Sequence, residues 1–324
     1  MTETDQPVPI SSLEHYPISF FAVSMGLAGL ALALHAGEQA LGLTGTLSGL
    51  AAGATVLAFV AIAAAYLLKL ARYPGAVWAE WHHPVRLAFF PAISISLLLL
   101  AAIAHGRGLA SAHVLWVLGA VGQFVLTLTV VASWIGTRSF QHGALSPAWF
   151  IPAVGNVVVP LAGVSLGYVE LSWYFFSVGV VFWVILLTLV MNRMIFHDPL
   201  PGRLQPTLVI LIAPPAVAFV AWLQLAGGVD AVARIFVNTA WFFGFVVATQ
   251  ALKLARLPFA LSFWALSFPL AALSIATLRY AALIGSEPHR IAGLALLALL
   301  LLVIAGLLLR TARAMFAGEV CLPE

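Results

Sequence analysis

FALSFWALSFPLAALSIATLRYAA, residues 259–282, is long and apolar enough to cross a bilayer as a helix, and it holds a proline, Pro269, near its middle. Proline removes a backbone N–H and clashes with the carbonyl four residues earlier. Inside a membrane the resulting irregular backbone must be sheltered by protein or line a water-filled cavity. The sign recurs on working outward from this stretch. Runs 86–104, 148–167 and 206–226 carry Pro91, then Pro152 with Pro160, then Pro214 with Pro215, whereas the apolar runs between them carry none. The alternation predicts two classes of helix, a bent inner set around an axis and a straight outer set against lipid.

Ten runs reach spanning length: 18–36, 47–70, 86–104, 112–135, 148–167, 172–194, 206–226, 232–252, 259–282 and 290–310. Composition agrees, with 63% hydrophobic and 8% charged residues and a mean hydropathy of +1.09, far outside soluble domains. The chain reads as an all-α polytopic membrane protein, its ten transmembrane helices forming five helical hairpins around a central pore. Odd-numbered helices form the inner ring, several of them proline-kinked, and even-numbered helices the outer ring. Residues 1–17 form a short N-terminal tail, 18–310 one transmembrane domain and 311–324 a C-terminal tail. The N-terminal tail holds Glu3, Asp5 and Glu14 but no Lys or Arg. It lacks the basic region of a signal peptide, so the first apolar run is expected to be retained.

Basic residues set the orientation. With a cytoplasmic N-terminus, the cytoplasmic connections and tail hold Lys69, Arg72, Arg86, Arg138, Arg193, Arg203, Lys253, Arg256, Arg310 and Arg313, against Arg107, Arg234, Arg279 and Arg290 on the other side. Both termini are therefore expected in the cytoplasm of a plasma or inner membrane. The basic pI near 9.3 has this topological cause and calls for no nucleic-acid partner. No helix repeats arginine every third residue, the mark of a voltage sensor.

Chemistry-bearing patterns are sparse. No HExxH, GxGxxG or P-loop lysine occurs, and the chain is not expected to be an enzyme or to need a cofactor. The lone Cys321 excludes an intrachain disulfide. His82 and His83 cannot share a helical face, and no metal site is expected at them. Asp230 and Arg234, four apart, read as interfacial anchors and a surface pair. The inner runs carry only small or weakly polar groups: Ser24, Gly26 and Gly29, then Ser94 and Ser96, then Asn156, then Ser267. Such residues suit close helix packing and also an uncharged pore wall. With no carboxylate or histidine near the middle of these runs, a proton-coupled carrier is disfavoured. Asn156, four residues before Pro160, offers a freed carbonyl, as do Leu87, Ile210, Leu211 and Ala265 before the other prolines. Phe268, directly before Pro269, could project into the axis and occlude a pore as a hydrophobic constriction.

Three stretches carry a family resemblance: Glu80-Trp81-His82-His83-Pro84-Val85-Arg86, Phe150-Ile151-Pro152-Ala153-Val154, and Trp264 to Pro269. In this order, and with the alternating prolines, the chain resembles the tellurite-resistance TehA and slow-type anion channel family over about residues 15–315. That family has relatives among malate permeases and sulfite exporters. The resemblance implies a homotrimer in the lipid bilayer, each protomer holding its own pore inside five inner helices. It implies a phenylalanine in the ninth helix blocking that pore, and Phe268 matches the position. Small inorganic anions such as chloride and nitrate are the implied substrates, with Ser24, Gly26, Pro91, Asn156, Pro160, Pro214, Pro215, Ser267 and Pro269 as pore-lining or kink positions. A secondary transporter of C4-dicarboxylate, sulfite or tellurite-like oxyanions is the alternative. TehA-like proteins often have proline where this chain has Ser24, and plant channels carry long cytosolic tails that this chain lacks, which favours a bacterial-type member.

Overall fold

A computed structural model of the chain describes residues 13–136 and 144–321, and these contain helices but no strand. Glu3, Asp5, Arg138 and His142 lie outside the described residues. Among the described residues, nine helices are long and apolar enough to cross a membrane: Ile18–Leu41, Thr46–Arg72, Arg86–Gly106, Ser111–Gly136, Val169–Phe196, Gly202–Ala226, Ala231–Ala248, Leu261–Ile284 and Glu287–Phe316. A shorter apolar helical segment, Pro147–Gly163, stands where the fifth of ten was expected. These ten are called spans one to ten in chain order. The fifth is short and broken because Pro152 and Pro160 divide it into α and 3-10 pieces.

Each even span packs against the odd span before it, giving five hairpins. The odd spans also pack on one another in a closed ring, the first on the third and ninth, the fifth between the third and seventh, and the seventh on the ninth. Burial separates the two sets. Between 61 and 78% of the most apolar stretch is buried in spans one, three, seven and nine, against 22 to 33% in the even spans. The outer helices bury only a stripe: in span ten Gly293, Leu297, Leu300, Ile304, Leu307, Thr311 and Ala314 face inward at alternating spacings of three and four. Leu57 and Leu302 point away, about three-quarters exposed, a face suited to lipid.

Where the inner prolines stand departs from a kink inside a continuous α-helix. Every odd span opens with 3-10 turns, at Ile18–Phe20, Arg86–Phe89, Pro147–Trp149, Gly202–Ile212 and Leu261–Leu266, and among the described residues no even span does. An α-helix then takes over, and the proline sits at its start. Pro91 immediately precedes Ala92–Gly106, Pro160 opens Pro160–Gly163, Pro214 is second in Ala213–Ala226 and Pro269 third in Ser267–Ile284. The first-turn N–H groups of an α-helix have no intrahelical partner, so a proline there forfeits no bond. The carbonyls left behind are taken up in 3-10 fashion: Leu87 accepts from the Phe90 N–H at 3.4 Å and Asn156 from the Val159 N–H at 3.2 Å, and Ile210 from the Ala213 N–H. Span one lacks a proline and runs as unbroken α-helix from Phe21 to Leu41.

Connections are short except between spans two and three, where Pro74–His82 forms an additional helix, and between spans eight and nine, where Ala251–Ala255 forms a helical turn. At the first hairpin tip Gly42 and Gly45 take left-handed φ of +69° and +80°. The buried Glu38 carboxylate accepts from the Leu47 and Ser48 N–H groups at 2.7 and 3.3 Å, satisfying the first turn of span two.

Candidate permeation pathway

The inner ring encloses a cavity of about 70 Å³ to which all five odd spans contribute. Met25 comes from span one, Phe89 from span three, Val154 from span five, Pro214 from span seven, and Phe268 with Pro269 from span nine. Among the described residues, no titratable side chain lines it. An ion inside would shed its water and find no fixed charge in return, which is costly unless the ion is weakly hydrated.

Phe268 is half-buried and its ring forms part of the wall. The close approach of spans one and nine sets its position. A Cβ at Gly29 would lie 3.3 Å from Phe268 Cδ2 and 2.9 Å from the Ala271 Cβ, and one at Gly26 only 2.1 Å from Ser267 Oγ. The glycines thus bring the backbone of span one against the turn that carries the phenylalanine and its neighbour Ser267.

Of the gate, pore-lining and kink positions expected from the sequence, Pro214, Phe268 and Pro269 lie in the cavity wall, as do Ile210 and Ala265, whose carbonyls precede prolines by four residues. Ser24 turns aside: its Oγ donates to the Phe21 carbonyl at 2.8 Å and lies 2.7 Å from Ser96 Oγ, tying span one to span three. Ser267 Oγ donates to the Trp264 carbonyl at 2.6 Å. Gly26, Pro91, Pro160 and Pro215 are buried in the packing around the cavity. Asn156 faces outward, donating to Thr127 Oγ1 at 3.0 Å and to the Ala153 carbonyl at 2.6 Å. It belongs to a buried network in which Gln123 Nε2 and Thr127 Oγ1 of span four both donate to the Pro152 carbonyl, at 2.9 and 2.8 Å. Gln123 Oε1 in turn accepts from Ser94 at 2.7 Å. The outer helix thus supplies hydrogen bonds that the broken fifth span cannot make internally.

The N-terminal end of the ring is basic. At the N-terminal ends of the odd spans a vestibule of about 470 Å³ holds Arg86, Arg203, His15 and His83, and Phe89 lines both it and the cavity. The positive ends of the inner helix dipoles lie here and reinforce the sign. Near the C-terminal ends of spans one and three a pocket of about 210 Å³ holds His35 and Arg107. Described residues toward both termini, His15 and Val320 among them, line the larger vestibule. Gly318, at φ +70°, ends span ten, the Glu319 N–H returns to the Ala314 carbonyl at 2.9 Å, and Glu319 and Val320 reach the vestibule wall.

Sequence reasoning missed the ion cluster beside this vestibule. Glu80, on the additional helix, is 2% exposed and Lys69, at the end of span two, 1%. Glu80 Oε2 accepts from Lys69 Nζ at 2.9 Å and from the Tyr66 hydroxyl at 2.8 Å. Its Oε1 accepts from the Ile18 N–H at 3.3 Å and lies 3.9 Å from Arg86 Nη1. Lys69 also donates to the Tyr16 carbonyl at 2.9 Å. The signal was two opposite charges eleven residues apart flanking a Tyr-Pro turn, read only as an orientation marker and a motif residue. Asp230 and Arg234 do not pair with each other. Asp230 Oδ1 accepts from the Ala233 N–H at 2.8 Å and from Trp222 Nε1 at 2.9 Å, while Arg234 donates to the Tyr280 hydroxyl at 2.9 Å. The Ala233 N–H, with the Trp222 indole behind it, holds the Asp230 carboxyl below the usual aspartate range.

Five hairpins around an axial cavity define a multi-pass membrane protein of the channel and transporter kind. The family described as voltage-dependent anion channel, SLAC1, matches residues 15–312, and the chain belongs to it. It is 33% identical over 260 residues to the S-type anion channel SLAH3 of Arabidopsis thaliana, covering 79% of this chain and 41% of the plant protein. It is 27% identical over 333 residues to an uncharacterized transporter of Methanocaldococcus jannaschii, covering 95% and 97% of the two chains. A tellurite resistance protein TehA homolog of Haemophilus influenzae is 30% identical over 268 residues, covering 80% and 79%.

Proposed function

We propose that the protein is an anion channel that conducts small monovalent anions, chloride and nitrate among them, along the axis of the inner ring, and that the Phe268 ring closes the path. The observation that carries this reading is the cavity, whose described lining is uncharged, beside a basic vestibule that shares Phe89 with it, and with Phe268 in its wall. A basic mouth raises the local anion concentration, and the uncharged constriction passes the anions that lose least on dehydration. Membership of an anion channel family supports the sign of the ion. That the described residues of the cavity wall include no titratable group weighs against a proton-coupled carrier. The distribution of Lys and Arg favours cytoplasmic termini in a plasma or inner membrane, and a homotrimer of independent pores is the assembly proposed.

Reversal potentials test the reading. Under bi-ionic gradients of chloride, nitrate, sulfite and malate, the current of the reconstituted protein should reverse near the equilibrium potential of the monovalent anion, with nitrate at least as permeant as chloride. It should ignore an imposed proton gradient. A saturating flux whose reversal follows the proton gradient would instead establish a coupled carrier.

A further inference from the structure

The helix Pro74–His82 is not one of the spans and adds no residue to the cavity wall, yet a buried ion pair is anchored in it. Tyr73, at φ −134° and ψ +58°, turns the chain away from span two, and Pro74 opens the new helix where a missing N–H costs nothing. Glu80 then touches the ends of three spans. Its Oε1 accepts from the Ile18 N–H that opens span one and lies 3.9 Å from Nη1 of Arg86, which opens span three, while Oε2 accepts from Lys69 in the last turn of span two. The helix therefore lies at the level where these spans leave the bilayer.

Its two faces differ. Val77 and Trp81 pack on the core and Glu80 is buried with Lys69 as its counter-charge, whereas Gly75, Trp78, Ala79 and His82 are exposed. Trp78 is 68% exposed, its ring centroid lies 4.4 Å from that of His82, and His82 Nδ1 is 2.8 Å from the Trp78 carbonyl. Rings of this kind, with an apolar body and a polar tip, suit the headgroup layer better than either hydrocarbon or bulk water. The lipid face of span two runs up to them, with Leu67, Leu68 and Leu70 exposed just before the turn.

We propose that Pro74–His82 is a membrane-surface element: its outward face docks into the phospholipid headgroup layer through Trp78 and His82, and its inward face braces the entrance of the inner ring. The brace is Trp81, whose ring meets Phe90 edge-on with centroids 4.9 Å apart. Tyr66, whose hydroxyl donates to Glu80 at 2.8 Å, also meets Phe90 edge-on, at 6.4 Å. Phe90 in turn closes the 3-10 turn Arg86–Phe89 with its N–H on the Leu87 carbonyl, and Phe89 lines both the vestibule and the cavity. A helix seated in the membrane surface thus holds the turn at the cavity entrance. Neither the docking nor the brace depends on which ion crosses the ring.

Two measurements on the full-length protein in phosphatidylcholine–phosphatidylglycerol vesicles test docking and brace separately. With Cys321→Ser as background, a fluorophore on Ala79→Cys reports the outward face, and one on Leu302→Cys, on the exposed face of span ten, reports hydrocarbon. A nitroxide at the lipid headgroup should quench the Ala79→Cys label several-fold more than one at the acyl-chain end, with the reverse order for Leu302→Cys, and aqueous iodide should quench the Ala79→Cys label only weakly. Strong iodide quenching without lipid quenching would put the helix in water, the order of Leu302→Cys would put it in hydrocarbon, and protection from every quencher would mean that a protein covers it; each overturns the docking. Hydrogen exchange reads the brace. Trp78→Ser should speed exchange of the amides of residues 87–90 several-fold, while Trp78→Tyr, another interfacial aromatic, should stay near wild type. Exchange in Trp78→Ser equal to wild type refutes the brace, as does a rise spread evenly over all the spans.

Discussion

Gly26 and Gly29 show how much of the candidate gate is decided by atoms that are absent. Each lets span one lie against span nine at the turn holding Ser267 and Phe268, so a methyl group there acts directly on that turn. Gly26→Ala should destabilise the protein by about 1 to 3 kcal/mol, the cost of overpacking a tight contact, read as a lowered melting temperature in detergent. Gly29→Ala meets mainly the Phe268 ring and the Ala271 methyl. It should crowd the ring toward the cavity and lower the basal anion current, while a raised current would contradict the seat assigned to Phe268. The glycines were visible in the sequence as small residues. Their partner across the interface was not, because apolar helices that face a neighbour and those that face lipid have the same composition. The Lys69–Glu80 pair was hidden for a related reason: nothing in the sequence marks charges at helix ends as buried rather than solvated.

At the scale of the element, the alternating prolines were legible and their local effect was not. Proline alternation separated inner from outer spans, but 3-10 openings have no composition of their own, so nothing in the sequence marks Gly202–Ile212 as one. The broken fifth span depends on its outer partner. Gln123→Leu combined with Thr127→Val removes both side-chain donors to the Pro152 carbonyl, and a buried acceptor without a partner costs about 1 to 3 kcal/mol. Thermal unfolding should register that loss, and Thr127→Ser alone should remain near wild type. Span eight carries a pH signature at its start. Asp230, its N-cap, has a depressed pKa, so its contribution is present above the unfolded aspartate value near 3.9 and is lost as pH falls through the lower folded value. The melting temperatures of wild type and Asp230→Ala should accordingly differ at neutral pH and converge toward strongly acidic pH.

On the scale of the whole molecule, the ring of five inner spans creates a place that no single helix has: a cavity whose described lining is uncharged, next to a basic vestibule. The number of spans and the division into inner and outer sets could be read from hydropathy and proline spacing, since both follow from single-chain patterns. The vestibule could not, because it joins His15, Arg86, Arg203 and Glu319 from distant parts of the chain. In the proposed function anions cross along this axis and the Phe268 ring obstructs them. The decisive measurement is the anion current through Phe268→Ala, compared with wild type at equal surface abundance. A severalfold larger, anion-selective current that reverses with the anion gradient is expected; a current unchanged from wild type would overturn the gate.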